Sequence, residues 1–133
     1  MPLKHMKSLI VLVVGLLTVG CATLTPEQKQ KTLRDSVVGE YEYKPTQGQY
    51  SGRVTSKLVF LENGIRENYF HGQKQAEKKW SIENKEMHVK FDFELIHVYR
   101  INKNKSITLV AAIRSGKREA RSKQYYMTFK KIK

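Results

Sequence analysis

From Leu58 to Lys131 the large apolar residues recur at every second position, and the runs they form are cut at short intervals by turn chemistry. Met87, Val89, Phe91 and Phe93 alternate with His88, Lys90 and Asp92; Trp80 and Ile82 alternate with Lys79, Ser81 and Glu83. Ile107, Leu109, Ala111 and Ile113 read as another inward row, and Tyr125, Met127 and Phe129 as a third against Tyr126, Thr128 and Lys130. Leu58 and Phe60, then Ile65, Glu67 and Tyr69, carry the pattern toward the N-terminus. Period two is the signature of half-buried strands, since an amphipathic helix needs a period of 3.6.

The breaks have hairpin character. Asn63-Gly64 reads as a type I′ turn, because both residue types tolerate positive φ. Asn84-Lys85 and Asn102 to Lys105 repeat it at intervals that fit two short strands and two turns, and His71-Gly72 and Ser115-Gly116 fall on the same rhythm. With Gly39 to Tyr43 as the first, about eight strands follow one another as an up-and-down antiparallel meander. Such a sheet, with no helices to cover a second face, hides its apolar side by curling into a small barrel, which also removes its edges. A half-barrel, open and strongly curled with a helix across its mouth, is the competing arrangement. With only one Cys no internal disulfide can form, so a hydrophobic core must carry the fold.

Ahead of the strands, Thr25 suits an N-cap, Pro26 the first helical position, and Gln28 completes a capping box, which predicts a short helix from about Pro26 to Ser36. Its one large interior apolar residue, Leu33, makes it a spacer or a lid rather than a core helix. Further upstream, Lys4 and Lys7 precede the eleven-residue apolar run Leu9 to Val19. As a helix this rises only about 16 Å, too little for a hydrocarbon core of roughly 30 Å, and it reads as a signal peptide. Translation could equally begin at Met6. The expected division is a signal peptide over 1–20, an N-terminus that begins at Cys21 with a short helical spacer over 21–36, and an antiparallel β domain over 37–133.

The run ends in Leu17-Thr18-Val19-Gly20-Cys21-Ala22, and this resembles the lipobox of bacterial lipoproteins, with Thr18 where Leu is more common. The resemblance implies acylation of Cys21 and a lipid-anchored, exported protein at the cell membrane or, with Ala22 after the Cys, the outer membrane, facing the periplasm or the surface. Several acyl chains at about 0.8 kcal/mol per buried methylene make a lasting anchor. The order of segments over roughly 37–131, with Gly39-x-Tyr41 after a short helix, the Asn-Gly hairpin, Trp80-Ser-Ile82 and Ser106-Ile-Thr-Leu109, is similar to the lipocalin-like small domains found in many bacterial lipoproteins of unknown function. That resemblance implies a calyx-shaped fold and carries no catalytic residues.

Nothing in the chain points to chemistry. There is no Gly-rich phosphate loop, no nucleophile elbow and no Cys left for catalysis, so no catalytic residues, cofactor or metal are expected. His71, His88 and His97 lack ligand spacing, and Asp92 and Glu94 read as solvated turn charges rather than an acid/base pair. Tyr41, Tyr43, Tyr50, Phe60, Tyr69, Trp80, Phe91, Phe93 and Tyr125 are expected to fill the barrel more than to line a cavity for a small apolar ligand. The 25 Lys and Arg against 12 Asp and Glu remain in large excess after 1–20, which hold two Lys and no acid, are removed. Arg114, Lys117, Arg118, Arg121 and Lys123 crowd one hairpin, and Lys130, Lys131 and Lys133 follow. Such a cluster suits an anionic lipid or an anionic envelope polymer; export and the lack of an RNA-binding motif argue against nucleic acid. The expectation is therefore a membrane-tethered binding module for an anionic envelope component, the alternative being a structural or protein-interaction lipoprotein without a small ligand. The sequence does not specify an oligomeric state.

Overall fold

The computed structural model describes residues 23–43, 56–92 and 94–133. The signal run, Cys21, Tyr50 and Phe93 lie outside the described residues. Helix α1 (Pro26–Val37) is followed by nine strands: β1 (Gly39–Tyr43), β2 (Ser56–Phe60), β3 (Ile65–Phe70), β4 (Gln73–Glu83), β5 (Glu86–Lys90), β6 (Leu95–Ile101), β7 (Ile107–Arg114), β8 (Lys117–Ala120) and β9 (Met127–Lys131). Each strand from β1 to β8 pairs antiparallel with the next, and β9 closes the sheet by pairing with both β7 and β1. The result is a closed eight-stranded antiparallel barrel of small lipocalin-like form, with β8 as an additional strand. β8 and β9 lie along the same edge of β7, where Ala120 faces Ala111 and Met127 faces Leu109. Seven steps along the chain thus answer two along β7, and the excess is taken up by a 3-10 turn at Lys123–Tyr125. They are the two halves of one interrupted strand, which is why Tyr125 is exposed instead of continuing the inward row.

Turn geometry fixes the register. Asn84-Lys85, His71-Gly72 and Ser115-Gly116 have positive φ at both central residues and make tight two-residue hairpins. The Asn63-Gly64 hairpin differs from expectation. Gly64 donates to Leu61 O, Leu61 donates to Ile65 O, and only Gly64 has positive φ, so the loop has three residues, Glu62 to Gly64. That shifts β3 by one residue, puts Arg66 opposite Phe60, and turns Ile65, Glu67 and Tyr69 outward.

One half of the barrel is solidly filled. Tyr41, Phe60, Trp80, Met87, Val89, Tyr99, Ile107, Leu109 and Phe129 are all buried, with Phe60 edge-on to Tyr41, Trp80 and Tyr99. The Tyr41 hydroxyl, pushed up to about 12 by burial, donates to Val37 O at 2.7 Å. α1 closes this end. Its capping box is formed by Thr25 and Gln28, Leu33 and Val37 pack on the core, Gln30 donates to Ile82 O, and Arg34 lies 4.8 Å over the Trp80 ring.

A bulge in β7 alters the opposite half. Tyr99 faces Leu109 but Val98 faces Ala111, leaving Val110 unpaired on β6. The inward row therefore stops at Leu109. Ala111 and Ile113 turn to the outer wall, where they pack with Val98, Val110 and Tyr126 in a small second cluster.

Candidate functional site

The end of the barrel away from α1 is lined differently from the filled half. Arg66 and Lys78 face each other across β3 and β4 on the inner side, followed toward the rim by Asn68 opposite Ala76. His97 comes in from β6 opposite Ala112 of β7. Two alanines stand here at the level where the other half holds Phe60, Trp80 and Met87. Arg66 is only 3 % exposed. Its guanidinium lies 5.3 Å from the centre of the Phe91 ring, Lys78 Nζ lies 5.7 Å from the same centre, and the His97 ring stands 4.2 Å away on a tilt. The Tyr99 hydroxyl is near enough to Arg66 for each to shift the other's titration.

The titratable groups record this crowding of cations. Burial lowers Arg66, with the Tyr99 contact opposing it, and burial raises Tyr99, with Arg66 and Arg121 opposing it. His97 is held below the usual imidazole range by burial first and then by Arg121, Arg66 and Arg114. No carboxylate answers them at the centre. Every Asp and Glu of the chain is among the described residues, and none of the ion pairs includes Arg66. The paired acids stand on the outer wall: Glu40 with Lys57, Glu67 and Glu77 with Lys74, and Glu86 with Arg118. Glu119 shares the inner face of β8 but is exposed and forms no ion pair among the described residues. Asp92 sits exposed at the rim, its carboxyl lowered chiefly by the backbone N–H groups of Glu94 and Leu95, with Arg114 and Lys78 adding to this.

The basic hairpin divides. Arg114 and Arg121 bear on the interior through His97, and the backbone N–H of Arg121 donates to Val110 O at the bulge, which fixes where its side chain starts. Arg118 goes the other way, making a forked pair with Glu86 at 2.7 and 2.8 Å across the outer cluster and lowering that carboxyl. Lys117 and Lys123 are exposed and join no ion pair among the described residues. Arg66 and Lys78 were not singled out from the sequence, and His97 was weighed only as a metal ligand. The signal for Arg66 is the register of the three-residue Gly64 hairpin; Lys78 follows from the Trp80 row two residues on, and His97 from its place opposite Val89. Among the described residues no three His, Cys, Asp or Glu side chains gather as metal ligands.

Comparison of the chain with protein-family models, with curated proteins and with solved structures finds no match.

Proposed function

We propose that this protein is a non-enzymatic binding module, tethered to the membrane of a bacterial envelope through acylated Cys21, that engages an anionic envelope component with the basic open end of its barrel. The supporting observation is the segregation of charge. Arg114 and Arg121 bear on the same interior as Arg66, Lys117 faces Arg114 across the hairpin, and Lys123 follows in the turn after β8, while the ion-paired carboxylates Glu40, Glu67, Glu77 and Glu86 stand on the outer wall. A mouth in which cations outnumber Asp92 and Glu119 concentrates counter-charged groups in front of it.

The test uses the full chain in phosphatidylcholine nanodiscs with sodium polyphosphate as probe. Retention should be strong at low salt and fall steeply as salt rises, since exposed charges are screened beyond about 8 Å at physiological ionic strength. Neutralising Arg114, Lys117 and Lys123 together to Gln should remove most of it, at about 1 kcal/mol for each cation near a negative surface. Retention indifferent to both salt and the triple substitution would favour a structural or protein-interaction lipoprotein. Membrane fractionation unchanged by Cys21→Ser would remove the tether from the proposal.

A further inference from the structure

Arg66 is the least expected residue in the barrel. A buried guanidinium has no neutral form at physiological pH, and an uncompensated charge in a low-dielectric interior is among the costlier things a fold can hold. Water satisfies N–H groups but does not cancel the charge. Here the cost is compounded, because Lys78 faces Arg66 on the same inner surface and like charges directly opposite one another destabilise a sheet. Arg66 Nε and Asn68 Oδ1 are buried with no hydrogen-bond partner among the described residues. A guanidinium only donates and a phenol can donate as well as accept, so an oxyanion placed between Arg66 and the neighbouring Tyr99 hydroxyl would accept from both.

We infer that the half of the barrel away from α1 is a built site for a single terminal oxyanion, a carboxylate or a phosphate monoester, gripped by Arg66 with the Tyr99 hydroxyl and Lys78 beside it. This rests on the anionic binding proposed above and narrows it from a charged surface to one group inside the barrel. The ligand enters head first. Beyond Tyr99 the interior is occupied by Phe60, Trp80, Met87 and Val89, each at most 4 % exposed, so the remainder of the molecule stays outside. The planar fork of Arg66 matches two oxygens of either oxyanion. His97, kept neutral in the free protein by burial and its cationic neighbours, would gain a proton more readily once a negative group arrives.

The experiment titrates the full chain, in an uncharged detergent, with inorganic phosphate and separately with hexanoate, by calorimetry. At least one probe should saturate at one per chain, and the one that does identifies the oxyanion. Arg66→Met, close in volume but uncharged, should weaken that binding at least tenfold while raising the melting temperature of the free protein. Should Arg66→Met fail to fold, Tyr99→Phe is read in its place, with binding again expected to fall at least tenfold. Saturation by neither probe, or binding unchanged in the variant that is read, overturns the inference. Polyphosphate retention lost in the Arg114, Lys117, Lys123 variant but kept in Arg66→Met, with neither small anion saturating, would refute the interior site and leave the surface reading standing. Saturation by a small anion without salt-sensitive polyphosphate retention would do the reverse.

Discussion

Trp80 is where core, lid and turn meet, so its removal tests the register of the barrel directly. The indole is 4 % exposed, lies edge-on to Phe60 at 5.5 Å, carries the Arg34 guanidinium over its face at 4.8 Å, and donates Nε1–H to Leu61 O at 3.0 Å. Replacing it by Ala costs about 3 to 5 kcal/mol for the lost contacts and the cavity. Leu61 O keeps the Gly64 N–H as a donor, so the lost indole hydrogen bond and the lost ring under Arg34 add only about 0.5 to 1 kcal/mol between them. For a small domain whose total stability is about 5 to 15 kcal/mol, a loss near 4 is a large fraction. With a urea m-value of about 1.5 kcal/mol per molar, the unfolding midpoint should drop by roughly 2 to 3 M. Far-UV circular dichroism is the appropriate assay, because Trp80 is the chain's single tryptophan and takes the fluorescence signal with it. Trp80→Phe keeps most of the volume and should lose only the hydrogen bond, about 1 to 2 kcal/mol. Lys79→Ala, on the exposed outer wall, should stay within about 0.5 kcal/mol. A midpoint for Trp80→Ala no lower than that for Lys79→Ala would mean that β4 presents its other face to the core.

The His97 imidazole, lowered by burial and by Arg121, Arg66 and Arg114, takes up its proton at a lower pH in the folded than in the unfolded chain, so stability should be complete above about pH 6.5 and decline as pH falls from there. Melting curves between pH 8 and 5 should show that decline in the wild type and a shallower one in His97→Gln. Arg118→Ala breaks a largely exposed pair with Glu86 and should cost only about 0.2 to 1 kcal/mol by urea titration, less at high salt. Gly39→Ala should be more damaging despite adding one methyl group, because Gly39 has φ 148° and a Cβ there would collide with the Lys133 carbonyl oxygen. A loss of more than about 1 kcal/mol, seen as a lower melting temperature, is expected.

The period-two rows of Leu58 and Phe60, Trp80 and Ile82, and Met87 and Val89 were legible because each lies on a stretch of regular pairing with apolar residues inward, the β4 irregularity at Gln75 falling well before Trp80. Two readings failed for one shared reason. Taking Asn63-Gly64 as a two-residue turn sets Glu67 against Phe60, while the observed three-residue loop sets Arg66 there, and that single step exchanges the faces of all of β3. Alternation alone could not correct it, since Ile65 and Tyr69 are the more apolar set and Arg66 is inward against its hydropathy. In β7 the bulge at Val110 does the same to Ala111 and Ile113. The basic hairpin was visible as charge density, but whether Arg118 or Arg121 turned inward depended on that bulge and on Glu86 lying across the outer wall. Both errors fall in the half of the barrel that holds Arg66, where the fold departs from the pattern of an apolar interior.

The closing strand also sets an order of events for folding. From β2 to β7 each hairpin joins strands only a few residues apart, and such local pairings form early and fast. The β1–β9 seam, by contrast, joins Tyr43 to Phe129 and Tyr41 to Lys131, across almost the whole barrel sequence, and its loop-closure entropy must be met before any of those hydrogen bonds is gained. A curled but unsealed sheet, with the edges of β1 and β7 exposed, is therefore the species that precedes the native barrel. Open edges of that kind recruit other strands. The rate at which Met127–Lys131 docks, rather than the strength of the aromatic core, should decide how much of the newly made chain escapes aggregation.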